Sequence, residues 1–368
     1  MSAWSGSDEQ HMRRALALAV LGLTTVDPNP RVGCVLVRDG RVVGEGWHER
    51  AGGPHAEARA LQTAGEAARG ATAYVSLEPC AAQGRTPPCT GALVAAGVRR
   101  VVYAVDDPNP GMRGGAAALR AAGIEVANGL LADEARELNI GFFSRHERGR
   151  PWVRVKLGAS LDARTALADG TSQWITGTES RADVQRFRAR SSVVLAGAST
   201  VLKDDPSLNV RIEGASRQPL RVVLDRRLRV PATARTYTLE GAAAVFTASS
   251  DEARLGTLRQ AGVRVEHVGA ASGGLDLAAV MTRLAALQAN EAWVEAGPRL
   301  AGALLMARLV DELVIYMAPC MLGPQGAPLA QLPPIARLED RLALRYVAVD
   351  RMGADLRIIA RPAASGGI

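Results

Sequence analysis

Pro54-His55-Ala56-Glu57, then Glu78-Pro79-Cys80, then, after eight intervening residues, Cys89: the reading of this chain turns on these residues. One neutral imidazole and two thiolates make a tight Zn²⁺ site and leave the fourth position to water. The metal lowers the pKa of that water toward neutrality, so it can attack an amino-bearing ring carbon. Glu57 lies two residues beyond His55, close enough to face the open position without binding the metal. Its carboxylate can take the water's proton and hand it to departing ammonia. The bland alternatives are a closed zinc knuckle or two ordinary buried thiols. A knuckle usually offers four ligands in short Cys-x₂-Cys pairs, whereas here three ligands stand beside a carboxylate. Two such positions on a helix point about 200° apart, so ligand and base need a helix end. The Ala-rich stretch 56–68 supplies one, with His55 and Glu57 on its first turn.

The flanking sequence alternates strand and helix. Residues 15–23 read as the end of an amphipathic first helix; Asp8 and Glu9 ahead of it, and no small-residue cleavage site after it, exclude a secretory signal. The Asp27-Pro28-Asn29-Pro30 turn leads to strand 32–37, an Asp39-Gly40 hairpin turn and strand 41–47. Strand 73–77 delivers Cys80 at its C-terminal edge, and Cys89 opens helix 90–96. Strand 98–104, helix 116–122 and strand 124–126 complete an α/β sheet. The polar, charged run Ser144 to Pro151 has few residues to pack and reads as a joint. Beyond it, strands at 152–157, 192–197, 220–224, 243–247, 263–268, 291–295 and 311–317 alternate with helices at 178–190, 275–289 and 299–308. No internal repeat relates the halves.

With 368 residues, 48% of them apolar, the chain has material for two cores. No apolar run approaches the ~20 residues of a membrane span. Four cysteines, two of them assigned to metal, point to a reducing cytoplasm. The net charge of +7 invites a nucleic-acid reading, but residues 1–150 carry only +1 of it. A deaminase of polynucleotides would carry its basic footprint near the zinc.

His-x-Glu followed by Pro-Cys and a further Cys is the pattern of zinc-dependent base deaminases, which commonly separate the cysteines by two residues. The eight-residue spacing here suits a substrate larger than a plain base. At this point the chain resembles the bifunctional deaminase/reductase family of riboflavin biosynthesis. The resemblance is carried by Asn29 to Gly33, Pro54 to Glu57, Glu78 to Cys80 and Gly84 to Cys89. It continues through Asp107 to Pro110, Lys156 to Asp162, Ser172 to Thr176, Asp204 to Pro206, Trp293 to Pro298 and Leu309 to Leu313. Four positions depart from the family pattern. Ala81-Ala82 replace a Ser-His pair, Arg226 follows Asp225 where a small polar residue is common, and Ala163 stands where glycine is usual. The last suggests a backbone that does not need positive φ there.

The resemblance implies an α/β chain: an N-terminal cytidine-deaminase-like zinc domain over 1–147, then a dihydrofolate-reductase-like domain over 148–368. It implies hydrolysis of the 2-amino group of 2,5-diamino-6-(5-phosphoribosylamino)pyrimidin-4(3H)-one, then reduction of the ribosyl chain to ribityl by NADPH. The metal would sit on His55, Cys80 and Cys89, with Glu57 as proton shuttle. Asn29, His48 and Arg85 are expected to contact the first substrate. In the second half, Lys156 and Asp205 are expected at the reacting carbon; Asp205 equally reads as part of a helix-capping turn. Gly158, Ala159, Trp174, Thr200, Asp204, Gly297 and Pro298 are expected on the cofactor side, with Arg226 or Arg227 at a 2′-phosphate. Ser172, Arg188, Leu208, Arg211 and Glu295 are expected on the substrate side. Independently of the resemblance, Glu295-Ala296-Gly297-Pro298 ends a strand and opens a helix, a place where backbone amides approach phosphate. The expected partners are a small phosphoribosylaminopyrimidine and other copies of the chain, with neither nucleic acid nor membrane. The rival readings are a tRNA or nucleoside base deaminase with an accessory domain, and a zinc-stabilised binding module.

Overall fold

The computed structural model describes residues 4–84, 87–271 and 273–363. The chain divides into two compact units, Met1–Gly149 and Arg150–Ile368.

The first unit runs α1 (Gly6–Val20), β1 (Gly33–Arg38), β2 (Arg41–Trp47), α2 (Ala56–Ala64), β3 (Thr72–Val75), α3 (Cys89–Ala95), β4 (Arg100–Tyr103), α4 (Gly115–Ala121), β5 (Glu125–Asn128), α5 (Ala132–Leu138) and α6 (Ile140–Arg148). Its sheet is ordered β2-β1-β3-β4-β5. β1 is antiparallel to both neighbours, and β3, β4 and β5 are parallel. Asp39 and Gly40 both take positive φ, the hairpin geometry their sequence favours. Leu36, Val75, Val101 and Leu119 pack on one face of the sheet with Ala56 and Ala60 of α2. Met12, Ala15, Val35, Tyr74 and Val102 pack on the other. α2 lies unusually close to β2 because β2 presents Gly44 and Gly46. A Cβ on Gly46 would stand 2.5 Å from the Ala56 carbonyl oxygen. That close seat fixes the start of α2, and with it His55.

The boundary between the units falls within the expected Ser144–Pro151 joint, between Gly149 and Arg150, but most of that run is helix rather than a loosely packed linker. Ser144 to Arg148 are the last turns of α6, with Phe142, Phe143 and Ser144 buried. The charges that suggested a linker lie on the outer face of an amphipathic helix, which ends at Gly149 with φ 65.

The second unit begins with β6 (Trp152–Ser160), β7 (Arg164–Ala166), α7 (Thr178–Arg190), β8 (Val193–Gly197), α8 (Ala198–Asp204), β9 (Leu220–Leu224), α9 (Arg235–Thr238), β10 (Ala243–Thr247), α10 (Glu252–Gln260) and β11 (Arg264–His267). It continues with β12 (Ala270–Ala271), β13 (Gly274–Leu275), α11 (Leu277–Ala286), β14 (Glu291–Glu295), α12 (Pro298–Met306), β15 (Glu312–Ala318), β16 (Ala327–Pro328), β17 (Leu344–Met352) and β18 (Asp355–Pro362). Nine strands form one sheet, ordered β11-β10-β9-β8-β14-β6-β15-β18-β17. It is parallel from β11 to β15, and the β17–β18 hairpin closes it antiparallel. Val155, Leu195, Val222, Val294 and Ile315 form one core layer. Val194, Val223, Val245, Trp293 and Tyr316 form the other. Central strands buried on both faces explain the near-continuous apolar runs in the sequence.

The low ends of the central strands carry a buried ionic chain. Arg154 pairs with Glu291 and Glu312, which also hold Arg190 and Arg361. The turn after β6 overturns the expectation for Ala163, whose φ is 58. Its N–H donates to the Ser160 carbonyl, and Asp162 beside it is anchored by the Leu322 and Gly323 amides. The turn requires the left-handed conformation, and Ala163 adopts it at a cost glycine would avoid.

Candidate active sites

In the first unit β3 ends at Val75, and Glu78-Pro79-Cys80 is pressed onto the start of α4. A Cβ on Gly115 would overlap the Pro79 carbonyl at 1.8 Å. Glu78 accepts from the Ala116 and Asp107 amides at 3.0 and 3.3 Å, so it fixes Cys80 structurally. Cys89 is the first residue of α3, and its amide donates to Cys80 Sγ at 3.3 Å. His55 is the residue capping α2 rather than part of its first turn, with φ −73 and ψ 165. That extended backbone aims ligand and base at one point although they are two residues apart. His55 Nδ1 lies 3.2 Å from Cys89 Sγ and 3.6 Å from Cys80 Sγ. All three donors fall within 4.8 Å of one another. Ligands on a tetrahedral zinc stand about 3.5 Å apart, so this set fits the ion.

A hydrogen bond from Cys89, with further help from His55, holds the Cys80 thiol down at about 4, while Cys89 is pushed up. Burial raises the carboxyl of Glu57, which is 3% exposed and hydrogen-bonded to Cys89. Asn29 Nδ2 is 3.0 Å from His48 Nε2, and His48 Nδ1 is 3.0 Å from the Pro54 carbonyl oxygen. His48 therefore links Asn29 to the segment that carries His55, whose ring stands edge-on at 5.4 Å. Arg85 lies outside the described residues. The sequence reading assigned no role to Asp107, which is 5% exposed and, chiefly through burial, shifted up to about 6. The signal was its place in the Asp107-Pro108-Asn109-Pro110 motif.

In the second unit, parallel pairing of β6 and β14 sets Lys156 beside Glu295. Glu295 accepts from Arg188 Nε and Nη2 at 2.7 and 2.9 Å and from Trp293 Nε1 at 3.0 Å. Burial pushes the Glu295 carboxyl up, and Arg188 overrides it, holding the group at about 2. Burial lowers the Lys156 ammonium; Glu295 opposes the shift and Arg188 adds to it. A Cβ on Gly158 would lie 3.5 Å from Lys156 Nζ and 3.6 Å from the Thr176 methyl. Arg188 Nη1 donates to the Asn209 carbonyl at 2.7 Å, and Arg211 Nη1 to Ser207 Oγ at 2.6 Å. Burial first, and then Arg188, lower the Arg211 pKa.

Lys156, Arg188 and Glu295 thus gather in one polar centre, with Arg211 beside it. Leu208 does not join it through its side chain, which is wholly buried in the core. Only its backbone, turned at φ 50, is left to contact a ligand. Asp205 ends α8 at φ 38 and accepts from the Arg235 amide at 2.8 Å. These contacts match the capping reading. Ala159 is wholly buried in β6 and offers only backbone. Ser172 is half-buried in the loop before α7, and Asp204 is exposed. Trp174 is 70% exposed, with the Arg181 guanidinium 4.7 Å from its ring centre.

The adjacent parallel strands β8 and β14 each lead to a glycine that caps the next helix: Gly197, the last residue of β8, before α8, and Gly297, two residues past β14, before α12. A Cβ on Gly297 would be 4.0 Å from Thr200 Oγ1, and one on Gly197 would be 3.6 Å from Leu300. Two neighbouring helix starts with bare backbone form a cradle suited to a dinucleotide pyrophosphate. Pro298 is the first residue of α12, and Arg226 and Arg227 lie exposed just past β9.

A mixed sheet that delivers one imidazole, two thiols and a buried glutamate to a single point defines a zinc-dependent deaminase; joined to it is a parallel-sheet unit with a dinucleotide cradle. The cytidine and deoxycytidylate deaminase zinc-binding region matches residues 5–105, and the RibD C-terminal domain matches 151–358. Riboflavin biosynthesis protein RibD of Escherichia coli (strain K12) is 47% identical over 95% of this chain and 98% of its own length. Its Haemophilus influenzae counterpart is 44% identical, covering 98% of this chain and 99% of its own length. Among solved structures, Acinetobacter baumannii RibD, form 1, superposes with a TM-score of 0.91 at 41% identity, over 97% of this chain and 99% of that one. The diaminohydroxyphosphoribosylaminopyrimidine deaminase/5-amino-6-(5-phosphoribosylamino)uracil reductase of Thermotoga maritima gives 0.88 at 32% identity, with the same coverage. The chain belongs to the RibD family of riboflavin biosynthesis proteins. It is a bifunctional enzyme, deaminase and reductase, acting on a small molecule with zinc and NADPH as cofactors. Among the described residues no helix is long and apolar enough to cross a membrane.

Proposed function

We propose that the first unit hydrolyses the 2-amino group of 2,5-diamino-6-(5-phosphoribosylamino)pyrimidin-4(3H)-one and that the second reduces the ribosyl side chain of the product. The observation that carries this is the convergence of His55, Cys80 and Cys89 beside the buried Glu57. His55, Cys80 and Cys89 would hold the zinc, which when bound would supply a water acidic enough to react at neutral pH. Glu57 takes a proton from the attacking water and passes it to the amino group, which leaves as ammonia while the ring carbon gains a carbonyl. Asn29, held by His48, reads the pyrimidine edge, and Arg85 completes the binding of this substrate.

In the second unit the bound NADPH would supply the hydride for the ribosyl carbon. The Gly197 and Gly297 cradle, with Thr200, Pro298 and the backbone of Gly158 and Ala159, seats the cofactor. Trp174 and Asp204 border it, and Arg226 or Arg227 meets the 2′-phosphate. Lys156, its ammonium pKa lowered by burial, is better placed than Asp205 to give the proton that accompanies the hydride. Ser172, Arg188, Arg211, Glu295 and the Leu208 backbone hold the substrate.

The residues 1–147 and 148–368 are two domains that work separately, in a cytoplasmic homo-oligomer that binds no nucleic acid. Four free cysteines suit that compartment. The exposed apolar edge strand β17, with Tyr346 74% and Val349 55% exposed, suits self-association.

The test supplies the full chain with zinc, NADPH and either pyrimidine. Glu57→Gln should block ammonia release, and NADPH consumption from the diamino compound, yet leave NADPH consumption from the deaminated compound intact. NADPH consumed by Glu57→Gln from the diamino compound would show that reduction does not await deamination.

A further inference from the structure

α7 starts at Gly177, which has no side chain to cap it, and the cap comes from 178 positions further along the chain. The Gly177 N–H donates to Asp355 Oδ2 at 2.7 Å, and Ser180 Oγ donates to the same oxygen at 2.5 Å. Asp355 is 2% exposed and stands where the β17–β18 turn re-enters the sheet. A carboxylate at a helix start answers both the unpaired amides and the positive end of the helix dipole. The same turn brings Gly353 against α7: with φ 62, it lies where a Cβ would come within 2.7 Å of the Glu179 carboxylate.

The first turn of α7 in turn holds the loop before it. Arg181 donates to the Thr176 carbonyl at 2.6 Å and to Thr178 Oγ1 at 3.2 Å, and its guanidinium covers Trp174. The far end of α7 is pinned separately. Asp183 binds Tyr316 and Arg357, Phe187 stacks on Trp293 at 4.6 Å, and Arg188 grips Glu295.

We propose that Asp355 is a positioning residue for the cofactor side of the reductase: it fixes the start of α7 and, through Arg181, the place of the Trp174 ring. This rests on the reading of Trp174 as a cofactor contact. Since Arg188, at the other end of α7, is held by Glu295, loss of Asp355 acts first on NADPH and leaves that contact to the pyrimidine in place, while Ser172, in the same loop as Trp174, shifts with it.

The test is equilibrium NADPH binding to the full chain, followed by cofactor fluorescence, with ammonia release as a control on the first unit. Asp355→Ala removes both hydrogen bonds and should weaken NADPH binding about tenfold, which needs only part of their combined worth to reach the cofactor. Asp355→Asn keeps an oxygen that accepts from both donors and should bind within about threefold of wild type. The rate of ammonia release should stay unchanged in both, and the KM for the deaminated pyrimidine should change less than NADPH binding does. Trp174→Ala sets the scale. If it weakens NADPH binding while a folded Asp355→Ala chain binds as wild type does, the positioning role is wrong. If Trp174→Ala itself leaves binding unchanged, the reading of Trp174 fails and takes the proposal with it. Should Asp355→Ala not fold, Ser180→Ala, which removes one of the two donors, must weaken NADPH binding or the proposal falls.

Discussion

Replacing Arg154 by methionine should unfold the reductase unit far below the temperature at which the deaminase unit fails. The Arg154 side chain is 4% exposed, between Glu291 at 1% and Glu312 at 4%. Methionine keeps most of the apolar stem and removes both ion pairs. Taking one partner from a buried pair costs about 3–5 kcal/mol, because the remaining charge is left without compensation. Here each carboxylate retains an arginine: Arg190 at 3.0 Å from Glu291 and Arg361 at 2.8 Å from Glu312. The lower part of the range therefore applies, about 3–4 kcal/mol. For a unit of this size that is a fall in midpoint of roughly 6–16 °C. The assay is residual activity after stepped heating, with ammonia release reporting one unit and NADPH consumption the other. Adding Glu291→Gln and Glu312→Gln should not recover the loss, since Arg190 and Arg361 would then be left without their carboxylates. A reductase midpoint unchanged or raised in Arg154→Met would refute the argument, as would equal falls in both activities.

Three further predictions follow from single residues. Glu57→Gln should retain one zinc per chain by metal analysis and lose about 10²–10⁴-fold in ammonia release; zinc lost with the carboxylate would make Glu57 a ligand. Ala163→Gly should raise the stability of the second unit by roughly 0.5–1 kcal/mol in urea unfolding, since φ is already 58, and a loss of stability would mean that the methyl makes a contact worth more than the strain. Lys156→Met should end NADPH consumption yet stabilise the fold at neutral pH. The folded pKa of Lys156 lies below the ordinary 10.5, so the cost of its buried charge is carried in full at low pH and relieved as pH rises through the folded value toward 10.5. The stability difference between variant and wild type should therefore shrink from pH 7 to pH 10; a constant difference would mean that the charge is not its source.

The zinc site was legible because its chemistry is written in residue types at short spacing. Only the exact perch of His55, ahead of α2 rather than within it, needed backbone angles. The reductase centre was legible through resemblance alone. Arg188 and Glu295 are 107 positions apart, and no local pattern announces that β14 will set Glu295 beside Lys156. Strands buried on both faces stood out as apolar runs. β17 did not: as an edge strand it leaves Leu344, Tyr346, Val347 and Val349 in solvent, and its alternation follows no core. α5 and α6 were hidden by their polar outer faces. The error at Ala163 came from inferring backbone from residue type. Asp162 and the amides it holds dictate that turn, and alanine tolerates it.

The three metal donors come from a stretch of 35 residues, His55 to Cys89, wholly inside the first unit. Among the described residues no other group of histidine, cysteine and carboxylate side chains comes together in this way. Supply of the two cofactors is therefore felt at different points in a cell. If the units work separately, as proposed, a cell starved of zinc would keep a folded reductase with nothing to reduce and would accumulate the diaminopyrimidine. A cell short of reduced nicotinamide releases ammonia normally and accumulates the deaminated ribosyl compound. Which of the two pyrimidines builds up would tell metal hunger from reductant hunger.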